Sequence, residues 1–329
     1  MATRVVVTDH VFGDLDITRS VLEPLHVEIT VAPAADESTL ARFAEEADAL
    51  MVCYAKITAP VVDAAAAGGC RVIARSGIGY DNIDVEAATR HGILVTYVPD
   101  YCLDEVADHT LALLLSAVRV IPSACLIVRS GRWSLPRTNI HRLQGCRLAL
   151  LGFGRIGRKV AERARAFGMQ VIVYDPFLPE GSLDGVERAK GLEQAVAGAD
   201  FISLHAPMTP ENYHLIDDAA ITLMRRSPLI VNTARGGLLD LDAVTRALDD
   251  GRLSGVALDV TEIEPLPADH PLRGHPRALV TPHMGYYSVE AQEELERRTA
   301  DEIARALRGE PPRCPINPEV LAATARTDG

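Results

Sequence analysis

The chain has 329 residues, 48% hydrophobic and 24% charged, the size and composition of a soluble globular protein with two domains and large cores. Its net charge of −12 argues against a general nucleic-acid or anionic-membrane surface. The longest apolar stretch, around Leu111 to Val118, is interrupted by Ser116 and followed by Arg119, so none reaches spanning length. Met1-Ala2-Thr3-Arg4 leads directly into the strand-like Val5-Val6-Val7, which is too short for a signal-peptide core. The six cysteines (Cys53, Cys70, Cys102, Cys125, Cys146, Cys314) are scattered and form no C-x-x-C. They read as reduced thiols of a cytoplasmic protein, with no metal site expected.

Residues 1–100 alternate strand and helix signals. Strands are predicted at Val5–Thr8, Val27–Val31, Leu50–Cys53, Val72–Ala74 and Leu94–Tyr97, with helices at Glu37–Ala47 and Pro60–Ala67. Such alternation implies a parallel sheet covered on both faces. Asp100 to Arg119 then reads as one long helix with Asp100 or Asp104 as N-cap. Leu111, Leu113, Leu114 and Leu115 make it apolar on more than one face, which suits burial between layers or a subunit contact.

A second alternation runs from Arg147 to His283. An apolar run enters the turn Gly152-Phe153-Gly154-Arg155-Ile156-Gly157, and a helical pattern leaves it with Val160, Ala161, Ala164 and Phe167 on one face. The strand Val171–Tyr174 follows and ends on Asp175. Later strands are predicted at Phe201–Leu204, Leu229–Asn232, Gly255–Val260 and Ala278–Thr281, with a helix at Leu241–Asp249. After Tyr287 an amphipathic helix runs to about Leu307 and is ended by Gly309-Glu310-Pro311-Pro312; the tail after Pro318 reads as loosely held. The expected fold is α/β, with two doubly wound parallel-sheet domains. Residues 1–100 and 288–329 would form one and residues 101–287 the other, with the active site between them.

The central turn has a physical task for each of its parts. Gly152 permits the tight turn, Gly154 lets a pyrophosphate approach the backbone, and Gly157 lets the helix pack closely. The free N–H groups and positive end of the helix then face the phosphate. Asp175, about 20 residues on, can accept hydrogen bonds from ribose hydroxyls. A carboxylate there repels a 2′-phosphate, and Pro176 and Phe177 supply no replacement cation, so NAD is favoured over NADP. A lone G-x-G-x-x-G is a weak signal; here the strand before, the helix after and the acid all agree.

Four residues lie at or just after the carboxyl ends of strands, the edge where open α/β sheets bind ligands: Arg235, Asp259, Glu264 and His283. Hydride transfer to a ketone needs a cation that polarises the carbonyl and holds a neighbouring carboxylate, and a guanidinium does both. It needs an acid for the forming alkoxide, a role suited to histidine near neutral pH, and a carboxylate that orients the imidazole and favours its charged form. Arg235, His283 and Glu264 fit these roles. Each also has an ordinary reading: a surface cation, a hydrogen-bonded structural histidine, a solvated loop acid. Asp259 reads equally as a loop cap.

Several motifs, in register along the chain, resemble those of the D-isomer-specific 2-hydroxyacid dehydrogenases. They are Gly152-Phe153-Gly154-Arg155-Ile156-Gly157, Asn232-Thr233-Ala234-Arg235-Gly236-Gly237, Leu258-Asp259-Val260 through Glu264-Pro265, Thr281-Pro282-His283, and Arg75-Ser76-Gly77-Ile78-Gly79-Tyr80-Asp81-Asn82-Ile83-Asp84. Pro99-Asp100-Tyr101-Cys102-Leu103-Asp104-Glu105-Val106-Ala107-Asp108-His109 resembles the branch related to the C-terminal-binding-protein corepressors. The resemblance extends through about Pro318.

The resemblance implies a Rossmann-like NAD domain and a flavodoxin-like substrate domain formed by both chain ends. It implies that Arg235 binds substrate carboxylate and carbonyl, that Glu264 partners the histidine, and that His283 donates the proton. Asp259 would hold the nicotinamide carboxamide. Arg155, Ile156, Asp175, the loop from His205 to Pro207, Thr233, Ala234 and Gly285 would line the cofactor. The backbone N–H groups of Gly77 and Ile78, with Ser76, would receive the substrate carboxylate. The sequence departs from the family at Tyr54-Ala55-Lys56, where small polar residues are common, and at Met284-Gly285-Tyr286-Tyr287, which puts bulky aromatics past the histidine. Both departures bear on substrate choice. Lys56 would bind a second anionic group of the substrate, or be a solvated loop lysine. The region around Trp133, with Arg129, Arg132 and Arg137, resembles the family's dimer arm, so a homodimer through this region and the long helix is expected. The expected reaction is NAD-linked interconversion of a small 2-oxo acid and its D-2-hydroxy acid. The alternatives are an NAD(H)-sensing corepressor-like binding protein, and a dehydrogenase of a different small oxyanion.

Overall fold

The computed structural model describes residues 3–136, 140–179, 181, 183 and 185–322. Arg137 and residues 323–329 of the tail lie outside the described residues. The chain divides into two compact units, Met1–Tyr101 with Ser288–Gly329, and Cys102–Tyr287.

The first unit begins with β1 (Arg4–Val7), α1 (Asp16–Leu22), β2 (Glu28–Val31), α2 (Glu37–Ala44), β3 (Ala49–Val52), α3 (Ala59–Gly68), β4 (Val72–Arg75), α4 (Val85–Arg90) and β5 (Leu94–Thr96). The second contains α5 (Leu103–Val118), α6 (Ile121–Arg129), β6 (Arg147–Leu151), α7 (Arg155–Ala166), β7 (Gln170–Tyr174), β8 (Glu187–Arg188), α8 (Leu192–Val196), β9 (Phe201–Leu204), α9 (Asp218–Thr222), β10 (Leu229–Asn232), α10 (Leu241–Asp249), β11 (Gly255–Leu258) and β12 (Ala278–Val280). The chain then returns to the first unit in α11 (Val289–Leu307).

Both sheets are parallel throughout. The first has the order β2-β1-β3-β4-β5, the flavodoxin-like arrangement. The second has the order β12-β11-β10-β9-β6-β7-β8, whose two halves diverge from β6 and β9 as in a Rossmann sheet. Central strands read as unbroken apolar runs because helices cover both faces: β3, β9, β10 and β11 are buried at every position.

Several boundaries differ from the sequence expectation. The long helix starts at Leu103, not Asp100, and neither expected aspartate caps it: Cys102 holds the N-cap position without a side-chain bond. Asp104 lies inside the first turn and binds Lys159 and Arg163 of α7, while Asp100 pairs with Arg298 of α11. Phe167 is not on the buried face of α7; it is the C-cap residue and is exposed. The tail after Pro318 is held at least to Val320, whose side chain is buried. Among the described residues no single helix is long and apolar enough to cross a membrane.

Candidate active site

The second unit gathers the chemistry-bearing residues on the loops after its strands. His283 follows β12, and its Nδ1 lies 2.6 Å from Glu264 Oε2. Its backbone is in the left-handed region at φ +51°, anchored by donation of its N–H to the Asp259 carbonyl at 2.8 Å. A non-glycine residue is rarely held there without surrounding support. Glu264 uses its other oxygen, Oε1, to accept the Thr261 N–H at 3.0 Å. The carboxylate is therefore oriented from both sides.

Arg235 follows β10. Asn232 shapes its turn, accepting the Ala234 N–H and donating to the Arg235 carbonyl at 2.8 Å. The Arg235 Nη1 donates to the Ala234 carbonyl at 2.8 Å. The next residue, Gly236, packs so tightly on the chain at Thr261 and Glu262 that a Cβ would overlap the Thr261 carbonyl. His283 and Glu264 are thus in direct contact, and the Arg235 turn abuts the loop that carries Glu264.

Asp259 is buried and takes four donors. Thr281 Oγ1 (2.5 Å), His109 Nε2 (3.2 Å) and the Met284 N–H (3.0 Å) reach Oδ1, and the Gly285 N–H (2.7 Å) reaches Oδ2. Burial pushes the carboxyl up, but the bonds from His109, Thr281, Met284 and Gly285 outweigh it and hold it at about 2. It is a fixed anion at the base of the loop that carries His283.

In the glycine turn, Gly152 has φ +98° and a Cβ there would lie 2.6 Å from the Ala206 nitrogen. A Cβ on Gly157 would lie 2.7 Å from the Gly152 carbonyl oxygen, so this glycine packs α7 against the turn itself. Gly154 is exposed, has nothing within 4 Å of its Cβ position, and caps α7 without a side-chain bond. No side chain caps the first turn of α7, which begins at Arg155 and Ile156. Asp175 accepts the Phe153 N–H (2.9 Å) and the Phe177 N–H (3.0 Å), tying the glycine turn to the loop after β7. His205 leans on this turn; burial pushes its imidazole down to about 3, and its Nε2 pairs with the Ser203 hydroxyl at 2.9 Å. Thr233 Oγ1 meets Thr110 Oγ1 of α5 at 2.7 Å. Pro207 is exposed beyond His205.

The first unit holds the remaining candidates. The structure differs from expectation at Gly77, whose N–H donates to the Arg75 carbonyl at 3.0 Å and so is engaged within the chain. The Ile78 N–H has no acceptor among the described residues. Beside this turn lie two buried polar atoms without partners, Arg75 Nε and Ser76 Oγ. Lys56 is exposed at a cavity of about 420 Å³ that is also lined by Asp9, Glu37, Tyr54 and Thr58.

Residues 111–285 match the family model described as D-isomer specific 2-hydroxyacid dehydrogenase, NAD binding domain, more than half of the chain. The chain belongs to the D-isomer-specific 2-hydroxyacid dehydrogenases. It is 34% identical to the glyoxylate reductase of Thermofilum pendens over 88% of this chain and 86% of that protein. It is 40% identical to the D-3-phosphoglycerate dehydrogenase of Methanocaldococcus jannaschii over 93% of this chain and 58% of that protein. Three such phosphoglycerate dehydrogenases are matched over 58%, 49% and 59% of their lengths, so the chain spans about half of each. The crystal structure of a glyoxylate reductase from Paecilomyes thermophila superposes with a TM-score of 0.86 at 29% identity, covering 97% of this chain and 99% of that one.

The turn fits the dinucleotide of this family. Bare space at Gly154, uncapped helical N–H groups and a carboxylate at the end of β7 are what a pyrophosphate and a ribose diol require. Sequence reasoning assigned no role to His109 or Arg75. His109 reaches Asp259 from 150 residues upstream, on a helix whose pattern shows only packing. Arg75 closes a strand as any basic residue might, and only burial without a carboxylate partner sets it apart.

Proposed function

We propose that this chain is an NAD(H)-linked D-2-hydroxyacid dehydrogenase that interconverts a small 2-oxo acid and its D-2-hydroxy acid. The observation that carries the proposal is the 2.6 Å contact between His283 Nδ1 and Glu264, on the unit that also holds the dinucleotide turn. The bound nicotinamide supplies the hydride, or accepts it in the opposite direction.

The chain's own residues do the rest. With Nδ1 committed to Glu264, Nε2 is the ring nitrogen that gives a proton to the C2 oxygen as it becomes a hydroxyl, and takes it back in the oxidative direction. The carboxylate steadies the imidazolium that must be present before the proton moves. Arg235 offers paired N–H donors to the substrate carboxylate and the C2 oxygen, drawing charge onto the latter. Asp259, ionised at any working pH, keeps Met284 and Gly285 in place and would accept an N–H of the nicotinamide carboxamide. In the first unit the Ile78 N–H, close in the chain to the buried Arg75 and Ser76, is a donor suited to an anionic group. Lys56 shares its cavity with Asp9 and Glu37, company that favours a substrate with one anionic group over a phosphorylated one.

The test is NADH oxidation by purified protein against glyoxylate, pyruvate, hydroxypyruvate and phosphorylated and dicarboxylic 2-oxo acids, repeated with His283→Ala. Turnover of a small monoanion that falls at least a hundredfold in the variant, with NADH affinity kept, is expected. Tight NADH binding with no turnover across the panel would instead support a nucleotide-sensing binding protein.

A homodimer forms part of this proposal. The nine-residue helix α6 has no buried residue, and Leu126, Val128, Trp133 and Leu135 are each more than half exposed. Apolar surface of this extent fits a second copy of the chain. Sedimentation should give the dimer mass for the wild type and the monomer mass for Leu126→Glu with Trp133→Glu.

A further inference from the structure

A second cluster of titratable side chains stands beside the loop that holds Glu264. Tyr213 Oη and His214 Nε2 both reach Glu262 Oε1, at 2.7 and 2.6 Å. The two rings stack face to face, with centroids 4.0 Å apart and planes 19° from parallel. Neighbouring side chains in an extended segment point to opposite sides, so two consecutive rings can converge on one oxygen only if the backbone departs from extension. It does so at His214, which sits at φ +54°. A non-glycine residue held in the left-handed region marks a place where surrounding contacts over-determine the backbone.

Those contacts lead to both halves of the proposed catalytic apparatus. The His214 N–H donates to the Gly237 carbonyl at 2.8 Å, and a Cβ on Gly237 would lie 2.5 Å from the Met208 sulfur and 3.3 Å from the Tyr213 ring. Gly237 follows Arg235 by two residues, and Gly236 between them is pressed on the backbone of Thr261 and Glu262. Glu262 is two residues from Glu264, in the segment whose Thr261 N–H orients the Glu264 carboxylate. The arrangement is a three-way junction of the chain at 213–214, 236–237 and 261–262. The hydrogen bond to Glu262 is the main cause pushing the Tyr213 hydroxyl above its ordinary value, so it remains a proton donor in the working range.

We infer that Glu262, clamped by Tyr213 and His214, is a positioning residue that fixes the exposed 262–264 segment so that Glu264 faces His283. This rests on the catalytic reading of Glu264 and His283 and deepens it. Without the clamp, the solvent-facing residues 262–264 are anchored chiefly by the buried Thr261, and the Glu264 carboxylate wanders from the imidazole. The proton-transfer step suffers, whereas cofactor and substrate binding, which do not touch Glu262, do not.

The test uses Glu262→Ala and Tyr213→Phe in the full chain, with NADH and glyoxylate or hydroxypyruvate. The expected outcome for Glu262→Ala is a loss of about 10-fold in kcat with KM and NADH affinity within about twofold, and a smaller loss for Tyr213→Phe. In a Glu264→Gln background the Glu262→Ala loss should largely vanish, because the carboxylate it positions is already gone; a merely structural effect would persist in both backgrounds. Hydrogen exchange read without turnover should show faster exchange of residues 260–265 in Glu262→Ala, with β6 and β7 unchanged. Unchanged kcat and unchanged exchange, or an equal loss in both backgrounds, would overturn the clamp while leaving the role of His283 intact. If His283→Ala retains turnover the catalytic reading fails instead, and the exchange measurement still reports on the clamp.

Discussion

His283 Nδ1 and Glu264 Oε2 stand 2.6 Å apart, and the opposite oxygen of the same carboxylate holds the Thr261 N–H. This double engagement makes Glu264→Gln a sharp test. The side-chain oxygen of glutamine can keep the Thr261 bond, so its amide nitrogen must face the imidazole and donate to Nδ1. That forces the proton onto Nε2 of a neutral ring and removes the charge that steadied the imidazolium. Steady-state kinetics should show kcat reduced roughly 10- to 100-fold with KM little changed and the melting temperature within about 2 °C of wild type. A variant with full activity would show that the contact is structural only.

The glycines of the dinucleotide turn separate fold from binding. At Gly152 the backbone is left-handed and a Cβ would strike the chain at His205 and Ala206. Gly152→Ala should therefore cost about 2 kcal/mol or more, lowering the melting temperature by roughly 4–8 °C in thermal scans. Gly154 has an ordinary φ and open space around it, so Gly154→Ala should melt like wild type. The same methyl occupies the approach to the pyrophosphate, and titration should show NADH affinity reduced on the order of 10-fold. If Gly154→Ala binds NADH normally, the open space is not where the phosphates lie.

The sheets and the order of the chain were legible in the sequence because buried parallel strands are short unbroken apolar runs, as at Leu148–Leu151 and Leu229–Asn232. Helix starts were less so. Two aspartates offered a cap for the long helix, but Asp100 found Arg298 and Asp104 found Lys159 and Arg163, partners that are distant in sequence. In the site, Arg235, Glu264 and His283 stood out because each follows a strand end. The side chains that hold the site together carried no such signal. His109 meets Asp259 across 150 residues, and Glu262 reads as another loop acid until Tyr213 and His214 are seen on it. A carboxylate spacing shows where chemistry can occur; its orienting partners are set by tertiary packing alone.

Asp175 has a second duty that sharpens the cofactor prediction. Its two oxygens hold the N–H groups of Phe153 and Phe177, which fixes the orientation of the carboxylate at the end of β7. Asp175→Ala removes both the acceptor for a ribose hydroxyl and the repulsion of a 2′-phosphate. The preference for NADH over NADPH in kcat/KM should fall at least 10-fold, chiefly through loss of activity with NADH. Retained discrimination in the variant would place selectivity elsewhere in the loop.

His205 links the glycine turn to acid stability. Its imidazole is neutral in the folded protein because burial pushes it down from 6.5 to about 3. Below pH 6.5 the unfolded chain takes up this proton and the folded chain does not, so the contribution to stability is lost progressively as pH falls from about 6.5 to about 3. The loss is roughly 1.4 kcal/mol per pH unit, or about 3 kcal/mol by pH 4. Asp259 acts lower: its carboxyl is held at about 2 against 3.8, so its contribution is intact above 3.8 and disappears only as pH falls through about 2. His205→Gln keeps a partner for the Ser203 hydroxyl and has nothing to titrate. Urea melts at pH 7 and pH 4 should show the wild type losing about 3 kcal/mol more than the variant. Equal losses would mean that protonation at 205 does not limit acid stability, and that the turn at Gly152 tolerates a charged imidazole against it.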